Sequence, residues 1–487
     1  MDPVHHLAER HGDAYRIEAG TSRFSHPQAI MAADEAREGL LKGREKTSLD
    51  KGQGRASFET LSDLDATDYL GKGAGFTHSQ LPTRRSCLKS RCCRIALGVI
   101  GILVLLFTSG GWFGWKKFME EPPYGQSPPW YPAPRGGTLR SWADSYEKAA
   151  KLVSKMNLPE KVNITTGTGW GMGPGVGNTA PALNVGFPPL YLQDGPLGIR
   201  HCDNITAFPA GVTVGATWNR ELMYERGKAH ALEARGKGVH AILGPAVGPL
   251  GRIPAGGRTW EAFGADPYLQ GIAGAETVRG IQDQHVMATI KHFVGNEQEH
   301  FRQGWEWGVP YSLSSNIDDR AMHELYAWPF ADAIKAGVAS VMCSYNQVNN
   351  SYACDNAKLM NGLLKDEMGF QGFVMSDWLA QRAGVASALA GLDMTMPGDG
   401  LVWEDGNSLW GPELSKAVLN GSVPVDRLND MVTRIVATWY QLGQDDEELF
   451  DNKVRSISEH LHSRLIWKRT ETNDIWHANR ARTSTRS

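Results

Sequence analysis

The side chains that could do nucleophilic or acid–base chemistry fall at the ends of apolar, strand-like segments of this 487-residue chain. One such segment, "GFVMSDW" (residues 372–378), ends in Asp377 with Trp378 beside it. Others end in Asp194, in Lys291 and His292, and in Tyr345. A carboxylate nucleophile, cationic donors and aromatic rings together suit a sugar, because hydroxyls take charged hydrogen-bond partners and the apolar sugar face stacks on a ring.

Each of these residues also has an ordinary structural interpretation. Asp194 precedes Gly-Pro and could form a turn, His292 could be a satisfied core histidine, and Tyr345 could be a packing residue. Their recurrence at successive strand ends favours one functional site over several unrelated structural roles.

The elements that would position these residues alternate between strand and helix from about residue 138. Apolar runs such as "GVHAILGPAV" and "GVASVMCSYN" are separated by helical patterns such as "DRAMHELYAWPFADAIKAG". Strands buried on both faces give this pattern, and about 300 residues suit an α/β fold of the (β/α)8 TIM-like barrel type. The alternative, a doubly wound open sheet, loses support because no Gly-rich dinucleotide fingerprint follows the first strand. The C-terminal strand ends of a barrel meet at one mouth, where active sites lie.

The region before this domain divides into three parts. Residues 1–94 are polar, without a lasting apolar period, and predict a disordered tail. Residues 95–115 carry no charge, and at about 1.5 Å per residue they span roughly 30 Å, which predicts a transmembrane signal-anchor helix. Residues 116–137 contain six prolines and predict an extended stalk.

Charge and sequons predict the orientation of that helix. Five basic residues precede it and two follow, so the positive-inside rule predicts a single-pass type II protein of the cell membrane, with a cytoplasmic N-terminus and an extracellular or lumenal domain. We expect glycosylation at four sequons, all after the helix. They are at Asn163, Asn204, Asn349 and Asn420.

The cysteines divide between the two sides of the helix. Cys87, Cys92 and Cys93 would lie at the inner face, either as thiols or palmitoylated. On the other side, Cys343 and Cys354 are near enough in sequence to close a small loop, which would leave Cys202 odd. The net charge of −3 does not indicate a nucleic-acid partner.

Long stretches of the domain also carry a family likeness. They include "LQDGPLGIR", "GPAVGPLGRIPAGGRTWEAFGADP", "IKHFVGNEQEHFR", "GFQGFVMSDW" and "AGLDMTMPGD". On these the chain resembles the fungal β-glucosidases of glycoside hydrolase family 3, over about residues 142–443, and its apolar helix is similar to that of a membrane-anchored subset. The resemblance implies a first catalytic barrel domain over residues 138–445. It also implies hydrolysis of terminal β-D-glucosyl residues with retention, without a metal or organic cofactor.

The resemblance assigns roles residue by residue. Asp377, in the Ser-Asp-Trp motif, would be the nucleophile that forms a glycosyl-enzyme. Asp194 would hold the distal hydroxyls of the glucose. The other expected contacts are Arg258, Lys291 and His292 as hydroxyl donors, Tyr345 against the nucleophile, and Met342 and Trp378 on the pocket wall.

The end of the chain predicts impaired activity. In the resembled enzymes a second, α/β sandwich domain supplies the acid/base Glu, whereas here we expect the likeness to stop near residue 445. Residues 446–487 are polar and basic, which suggests a divergent tail on a truncated enzyme. A retaining mechanism needs a second carboxyl, so we expect slow turnover or none. Glu297, Glu299 and His300 could supply a substitute acid, although scaffold roles are the favoured interpretation.

Two other functions stay open. One is a membrane-tethered sugar-binding pseudoenzyme that keeps the pocket without turnover. The other is a β-N-acetylhexosaminidase of the same superfamily, in which Pro-Gly-His commonly follows Lys-His-Phe; here "KHFVGNEQEH" replaces it, which favours a glucosidase. Trp305 and Trp307 could form an outer sugar platform, but buried packing fits them equally well.

Overall fold

The computed structural model describes residues 91–119, 127–200, 202–248, 255–304, 309–403 and 406–450. Some predictions concern residues outside these ranges and stay predictions. They are the tail up to residue 90, the side chains of Cys87, Cys92 and Cys93, the platform at Trp305 and Trp307, and the divergent tail beyond residue 450.

The predicted membrane-spanning segment forms a long apolar helix. Helix α1 spans Arg91–Met119. Within it, Arg94–Lys117 is long and apolar enough to cross a membrane, with a mean hydropathy of 2.1, and none of this stretch is buried in protein. At about 1.5 Å per residue such a helix exceeds the roughly 30 Å of a bilayer core. Length and composition therefore agree with the predicted span.

The α/β domain is built on a six-stranded sheet in the order β1-β2-β3-β4-β6-β9. Its first pair is antiparallel and the other neighbours are parallel. The strands are β1 Gly177–Asn178, β2 Tyr191–Asp194, β3 Ala241–Leu243, β4 Met287–Phe293, β6 Ser340–Cys343 and β9 Phe373–Ser376. A second sheet contains β5 Ser314–Ser315, β7 Gln347–Val348 and β8 Ser351–Tyr352. All seven residues of β4 are buried, which explains the continuous apolar runs in the sequence.

Single bridges link the two edges of the six-stranded sheet. They join Met375 to Met394, Thr395 to Thr166, and Gly167 to Thr179. The described residues therefore form a parallel α/β sheet whose ends are connected, but one member is antiparallel and several positions are bridges rather than strands. The predicted α/β class is confirmed, and the regular eight-stranded barrel stays a prediction.

Helices cover the sheet, and capping side chains mark where three of them begin. Asn157 caps α3 and exchanges hydrogen bonds with Glu160 in a capping box. The side chains of Asn219 and Asp266 each accept one amide hydrogen bond at the start of α5 and α6. The helices after α1 are α2 Arg140–Val153, α3 Leu158–Thr165, α4 Gly211–Gly215, α5 Arg220–Gly236, α6 Pro267–Gln282, α7 Asp319–Ala321, α8 Trp328–Lys335, α9 Val385–Ala390, α10 Pro412–Leu419 and α11 Val425–Gln441. Two π-helices span Met322–Tyr326 and Lys358–Glu367.

The proline-rich segment before the domain lies against it. The Ser127 hydroxyl accepts a hydrogen bond from the Ala357 amide at 2.8 Å. Asn361 donates to the carbonyl of Trp130 at 2.7 Å, and Arg434 donates to that of Pro134. Residues 127–137 are therefore part of the domain surface and not a free stalk, which corrects the predicted boundary at residue 138. Proline-rich chain leaves its carbonyls unpaired, and side-chain donors from distant helices satisfy them here.

Candidate active site

A cavity of about 410 Å³ opens at the C-terminal ends of the strands. Strands β2, β4, β6 and β9 end at its base, as the parallel arrangement requires. Seven of the eight residues predicted to form the site line it: Asp194, Arg258, Lys291, Met342, Tyr345, Asp377 and Trp378. His292, the eighth, lines a smaller neighbouring cavity of about 30 Å³ and reaches the site from behind Asp377.

Asp377 lies at the base of the cavity, directly after β9. Its amide donates to the Cys343 carbonyl at 3.1 Å, and its Oδ1 accepts from the amide of Trp378 at 2.8 Å. Its Oδ2 is 3.4 Å from Nε2 of His292, but the two atoms do not form a hydrogen bond, and both are buried without a partner among the described residues. A buried carboxylate oxygen without a donor is costly, which indicates a ligand-binding role.

Charges around Asp377 set its protonation. Burial raises the pKa of Asp377, and the positive charges of Arg258, Lys291 and Arg302 offset only part of that rise. Burial, with the same three cations, lowers the pKa of His292 well below its ordinary value, so the imidazole is neutral near pH 7. The His292–Asp377 contact is therefore not an ion pair.

Asp194 is held in its ionised form on the opposite wall. Lys291 Nζ lies 3.0 Å from its Oδ1, and Arg200 Nη1 lies 3.0 Å from its Oδ2. Burial alone would raise the pKa of Asp194, but the charges of Lys291 and Arg200 outweigh it and keep that pKa below its ordinary value. Asp194 is thus an anionic acceptor of hydrogen bonds in the pocket.

The pairing of β4 with β6 is irregular where the two central basic residues lie. Its register shifts between Ile290 and Phe293, and Lys291 and His292 lie in that interval. An irregularity of this kind changes the direction of side chains from that of a regular strand. Lys291 accordingly points to Asp194, while His292 points to Asp377.

Arg258 is fixed by a bidentate ion pair. Its Nε and Nη2 each lie 2.9 Å from a carboxylate oxygen of Glu261. Burial would lower the pKa of Arg258, but the hydrogen bonds and charge of Glu261 outweigh this and raise it. Fork-to-carboxylate pairing of this kind fixes orientation as well as charge.

Aromatic rings form the rim and one wall of the cavity. Trp170 and Trp403 meet edge to face, with ring centroids 5.0 Å apart. Trp378 donates from Nε1 to the carbonyl of Val176 at 2.7 Å, which fixes its ring. Rings held in this way offer stacking surfaces to a sugar.

Several residues of the site escaped the sequence interpretation. They are Trp170, Arg200, Trp260, Glu261, Arg302 and Trp403. Trp260 and Glu261 lie on a short 3-10 helix and the others in loops, so the strand-end pattern could not find them. Two spacings of three residues, Arg258 with Glu261 and Glu299 with Arg302, gave a local signal of an ion pair. Of the possible substitute acids, Glu299 lines the cavity, whereas Glu297 lines the smaller neighbouring one.

The remaining predicted sites among the described residues do not line the cavity. Cys343 and Cys354 form a disulfide, and Cys202 is free, as the cysteine spacing suggested. The sequon residues Asn204, Asn349 and Asn420 are exposed, and Asn163 is half-buried on α3. Among the described residues, no group of three or more His, Cys, Asp or Glu side chains is arranged to hold a metal.

A carboxylate set among cations and aromatic rings, at the C-terminal ends of parallel strands, defines an α/β protein of the glycoside hydrolase class. Residues 183–438 match the family described as "Glycosyl hydrolase family 3 N terminal domain". The chain belongs to this family.

Curated relatives share long stretches with the chain. It is 65% identical to the "Probable beta-glucosidase E" of Aspergillus oryzae over 358 residues, which are 73% of this chain and 34% of the relative. It is 64% identical to the "Probable beta-glucosidase E" of Aspergillus fumigatus over 494 residues, or 97% of this chain and 46% of the relative. That match extends into residues 446–487, so it does not show the expected stop near residue 445. The chain spans between a third and a half of the length of these relatives.

Solved structures show the same fold. A Chaetomium thermophilum β-glucosidase superposes with a TM-score of 0.64 at 58% identity, over 66% of this chain and 38% of that one. The β-glucosidase 3B of Thermotoga neapolitana, solved in complex with α-D-glucose, gives a TM-score of 0.57 at 32% identity, over 65% of this chain and 46% of that one.

Proposed function

We propose that the chain forms the glucose-binding, nucleophile-bearing site of a retaining β-glucosidase. Its substrates would be terminal, non-reducing β-D-glucosyl residues of cellobiose and short β-glucans. The observation that carries the proposal is the unpartnered Oδ2 of Asp377, buried at the base of a cavity of sugar size and surrounded by cations. The names of the relatives and the glucose complex of the Thermotoga protein support glucose as the sugar.

Asp377 would act as the nucleophile. Its Oδ2 attacks the anomeric carbon, an ester bond forms, and the bond to the leaving oxygen breaks with its electron pair. Burial raises the pKa of Asp377, and Arg258, Lys291 and Arg302 offset part of that rise by favouring the carboxylate, which is the attacking form. Water then cleaves the ester and releases glucose with retained configuration.

The other wall would bind the sugar hydroxyls. Asp194 accepts hydrogen bonds as an anion, since Lys291 and Arg200 hold its pKa low. Arg258 and Lys291 donate to neighbouring hydroxyls from fixed positions. The rings of Trp378, Trp170 and Trp403 offer stacking surfaces, the last two at the rim where an aglycone would leave.

Protonation of the leaving oxygen would limit this site. The other carboxylates of the described pocket, Asp194, Glu261 and Glu299, are each ion-paired with a cation. An ion pair favours the carboxylate over the acid form that protonates a leaving oxygen, and for Glu299 it offsets part of the rise in pKa that burial causes. General acid help contributes about 10²–10⁴-fold to the rate. We therefore propose that this chain cleaves aryl glucosides with good leaving groups faster than cellobiose.

The test uses the full chain in detergent and a fluorinated glucoside with a dinitrophenolate leaving group. This leaving group needs no proton, so the label reports the nucleophile alone. We expect a glycosyl-enzyme on the peptide that contains Asp377, and the same yield from the surface control Asp144→Asn. Labelling at another carboxylate, or none, contradicts the proposal.

A second assay separates the alternative functions. An aryl glucoside, an aryl N-acetylglucosaminide and cellobiose are compared under the same conditions. Turnover of the N-acetylglucosaminide alone supports a hexosaminidase. Glucose binding without turnover or labelling supports the pseudoenzyme.

We also propose that α1 anchors the chain as a type II membrane protein with the domain on the extracellular or lumenal side. Support comes from the exposed apolar surface of α1, the basic residues before it and the sequons after it. The Cys343–Cys354 disulfide fits an oxidising compartment. In sealed secretory vesicles the domain should resist protease and carry sugar removable by glycosidase. A protected N-terminus with a digested domain reverses this topology.

A further inference from the structure

Glu299 occupies the cavity wall without a part in the proposed chemistry. Its Oε2 lies 2.8 Å from Nη1 of Arg302, and its Oε1 lies 3.8 Å from Nη1 of Arg258. Oε1 also accepts a hydrogen bond from Asn296 at 3.1 Å. One carboxylate therefore contacts two of the three cations that act on Asp377.

The backbone around Glu299 is fixed by a neighbouring loop. Its amide donates to the carbonyl of Gly256 at 2.9 Å. Gly257 has a φ of +102°, and a Cβ there would come within 2.9 Å of the Glu299 side chain. The glycine is therefore required both by its conformation and by this close approach. The loop that carries Arg258 and the segment that carries Glu299 are thus packed as one unit.

Arg302 is the side chain that this carboxylate orients. Its guanidinium lies 4.5 Å from the ring centroid of Tyr345. An arginine on a loop loses much rotamer freedom when it takes such a position, and a charged hydrogen bond offsets that loss. Glu299 forms an ion pair with Arg302 from three residues away along the chain, which offsets the loss in this case.

We propose that Glu299 is a positioning residue of this site: its carboxylate holds Arg302 across Tyr345 and next to Arg258, so that both cations face the nucleophile Asp377. The inference rests on the proposed glucosidase function. It adds a residue that is assigned no contact with the substrate and no part in making or breaking bonds.

The negative charge of Glu299 has a second effect. Burial raises its pKa, and the charges of Arg258 and Arg302 offset part of that rise. Glu299 and Asp377 interact unfavourably as carboxylates. Replacing Glu299 by Gln keeps an oxygen acceptor for Arg302 but removes this repulsion, whereas Ala removes both.

The experiment compares Glu299→Gln and Glu299→Ala with a matched control in the full chain. The control is Glu276→Gln, because Glu276 makes the same three-residue pair with Arg279, at 2.7 Å, away from the cavity. The readouts are the labelling rate by the fluorinated glucoside as a function of pH, glucose binding by tryptophan fluorescence, and the unfolding midpoint.

We expect Glu299→Ala to slow labelling by about tenfold, because Arg302 loses its charged hydrogen bond. Glu299→Gln should keep most of the labelling rate. The acidic limb of its pH–rate profile should move to lower pH, because Asp377 loses an anionic neighbour. A residue that only stabilises the fold would lower the unfolding midpoint without moving this limb.

Two outcomes contradict the inference, and they differ. If the wild-type chain is labelled but both Glu299 variants match Glu276→Gln in rate and pH limb, Glu299 does not position Arg302. If the wild-type chain neither binds glucose nor is labelled, the proposed function fails and the inference falls with it.

Discussion

Two clusters of charged side chains in this domain use the same residue types to different ends. The pocket cluster contains Asp194, Arg258, Lys291, Glu299, Arg302 and Asp377 around the cavity. The core cluster contains Lys365, Asp393, Arg427, Asp430 and Arg434 beneath β9 and α11. The pocket cluster leaves Oδ2 of Asp377 without a partner, whereas none of the side-chain polar atoms of the core cluster is left unpaired.

The charges of the core cluster are paired with one another and with the backbone. Asp393 lies 2.8 Å from both Lys365 and Arg427, with all three side chains buried. It also accepts from the amide of Val374 on β9 at 2.8 Å, and Lys365 donates to the carbonyl of Gly391. Backbone carbonyls also accept hydrogen bonds from the guanidinium groups of Arg427 and Arg434. The difference teaches that unsatisfied charge beside a cavity, and not buried charge as such, indicates a functional site.

The largest expected effect comes from Asp377→Asn. The change removes the nucleophile and keeps the shape of the side chain, so labelling by the fluorinated glucoside should be abolished. The unfolding midpoint should stay close to that of the wild type, because the carboxylate is buried without a full set of partners. Full labelling of the variant would show that Asp377 of the pocket cluster is not the nucleophile.

Asp393→Asn should have the opposite effect. It leaves Lys365 and Arg427 buried beside a neutral amide, and breaking a buried ion pair in this way costs about 3–5 kcal/mol. Urea unfolding measures the loss. The contrast between the clusters disappears if Asp393→Asn is as stable as Asp377→Asn.

Asp194→Asn tests the binding wall of the pocket. The variant loses the charge that pairs with Lys291 and that would accept the glucose hydroxyls. We expect glucose affinity to fall by about 10–100-fold, since charged hydrogen bonds contribute about 1.5–3 kcal/mol. Tryptophan fluorescence reports binding, because four tryptophans line the cavity. An unchanged affinity would place the glucose elsewhere.

The smallest expected effect is a shift of pH dependence. Asp377 attacks as the carboxylate and its pKa is raised, so labelling should fall as pH drops through a value above the ordinary aspartate pKa of about 3.9. Lys291→Met removes a cation that favours the carboxylate, so the acidic limb should move to higher pH. The exposed Lys335→Met, which removes a surface pair with Asp332, should leave it in place.

The sequence by itself determined the parts of the protein that depend on local pattern. Parallel strands end together, so the strand-end residues Asp194, Lys291, Tyr345 and Asp377 could be assigned to one site before any contact was known. The Asn157 cap and the apolar helix α1 also follow from neighbours in sequence. The spacing of Cys343 and Cys354 likewise allowed their disulfide.

Only the tertiary structure decided the rest, because those features depend on contacts between distant segments. Arg302 and Glu299 enter the site from a loop, and no strand or helix period marks them. His292 lies where the register of β4 shifts, and it lines the smaller cavity behind Asp377 and not the main cavity. The sequence predicts a stalk that includes residues 127–137, because a high proline content is typical of extended chain. The side chains that donate hydrogen bonds to this segment, Asn361 and Arg434, lie more than two hundred residues away in the sequence.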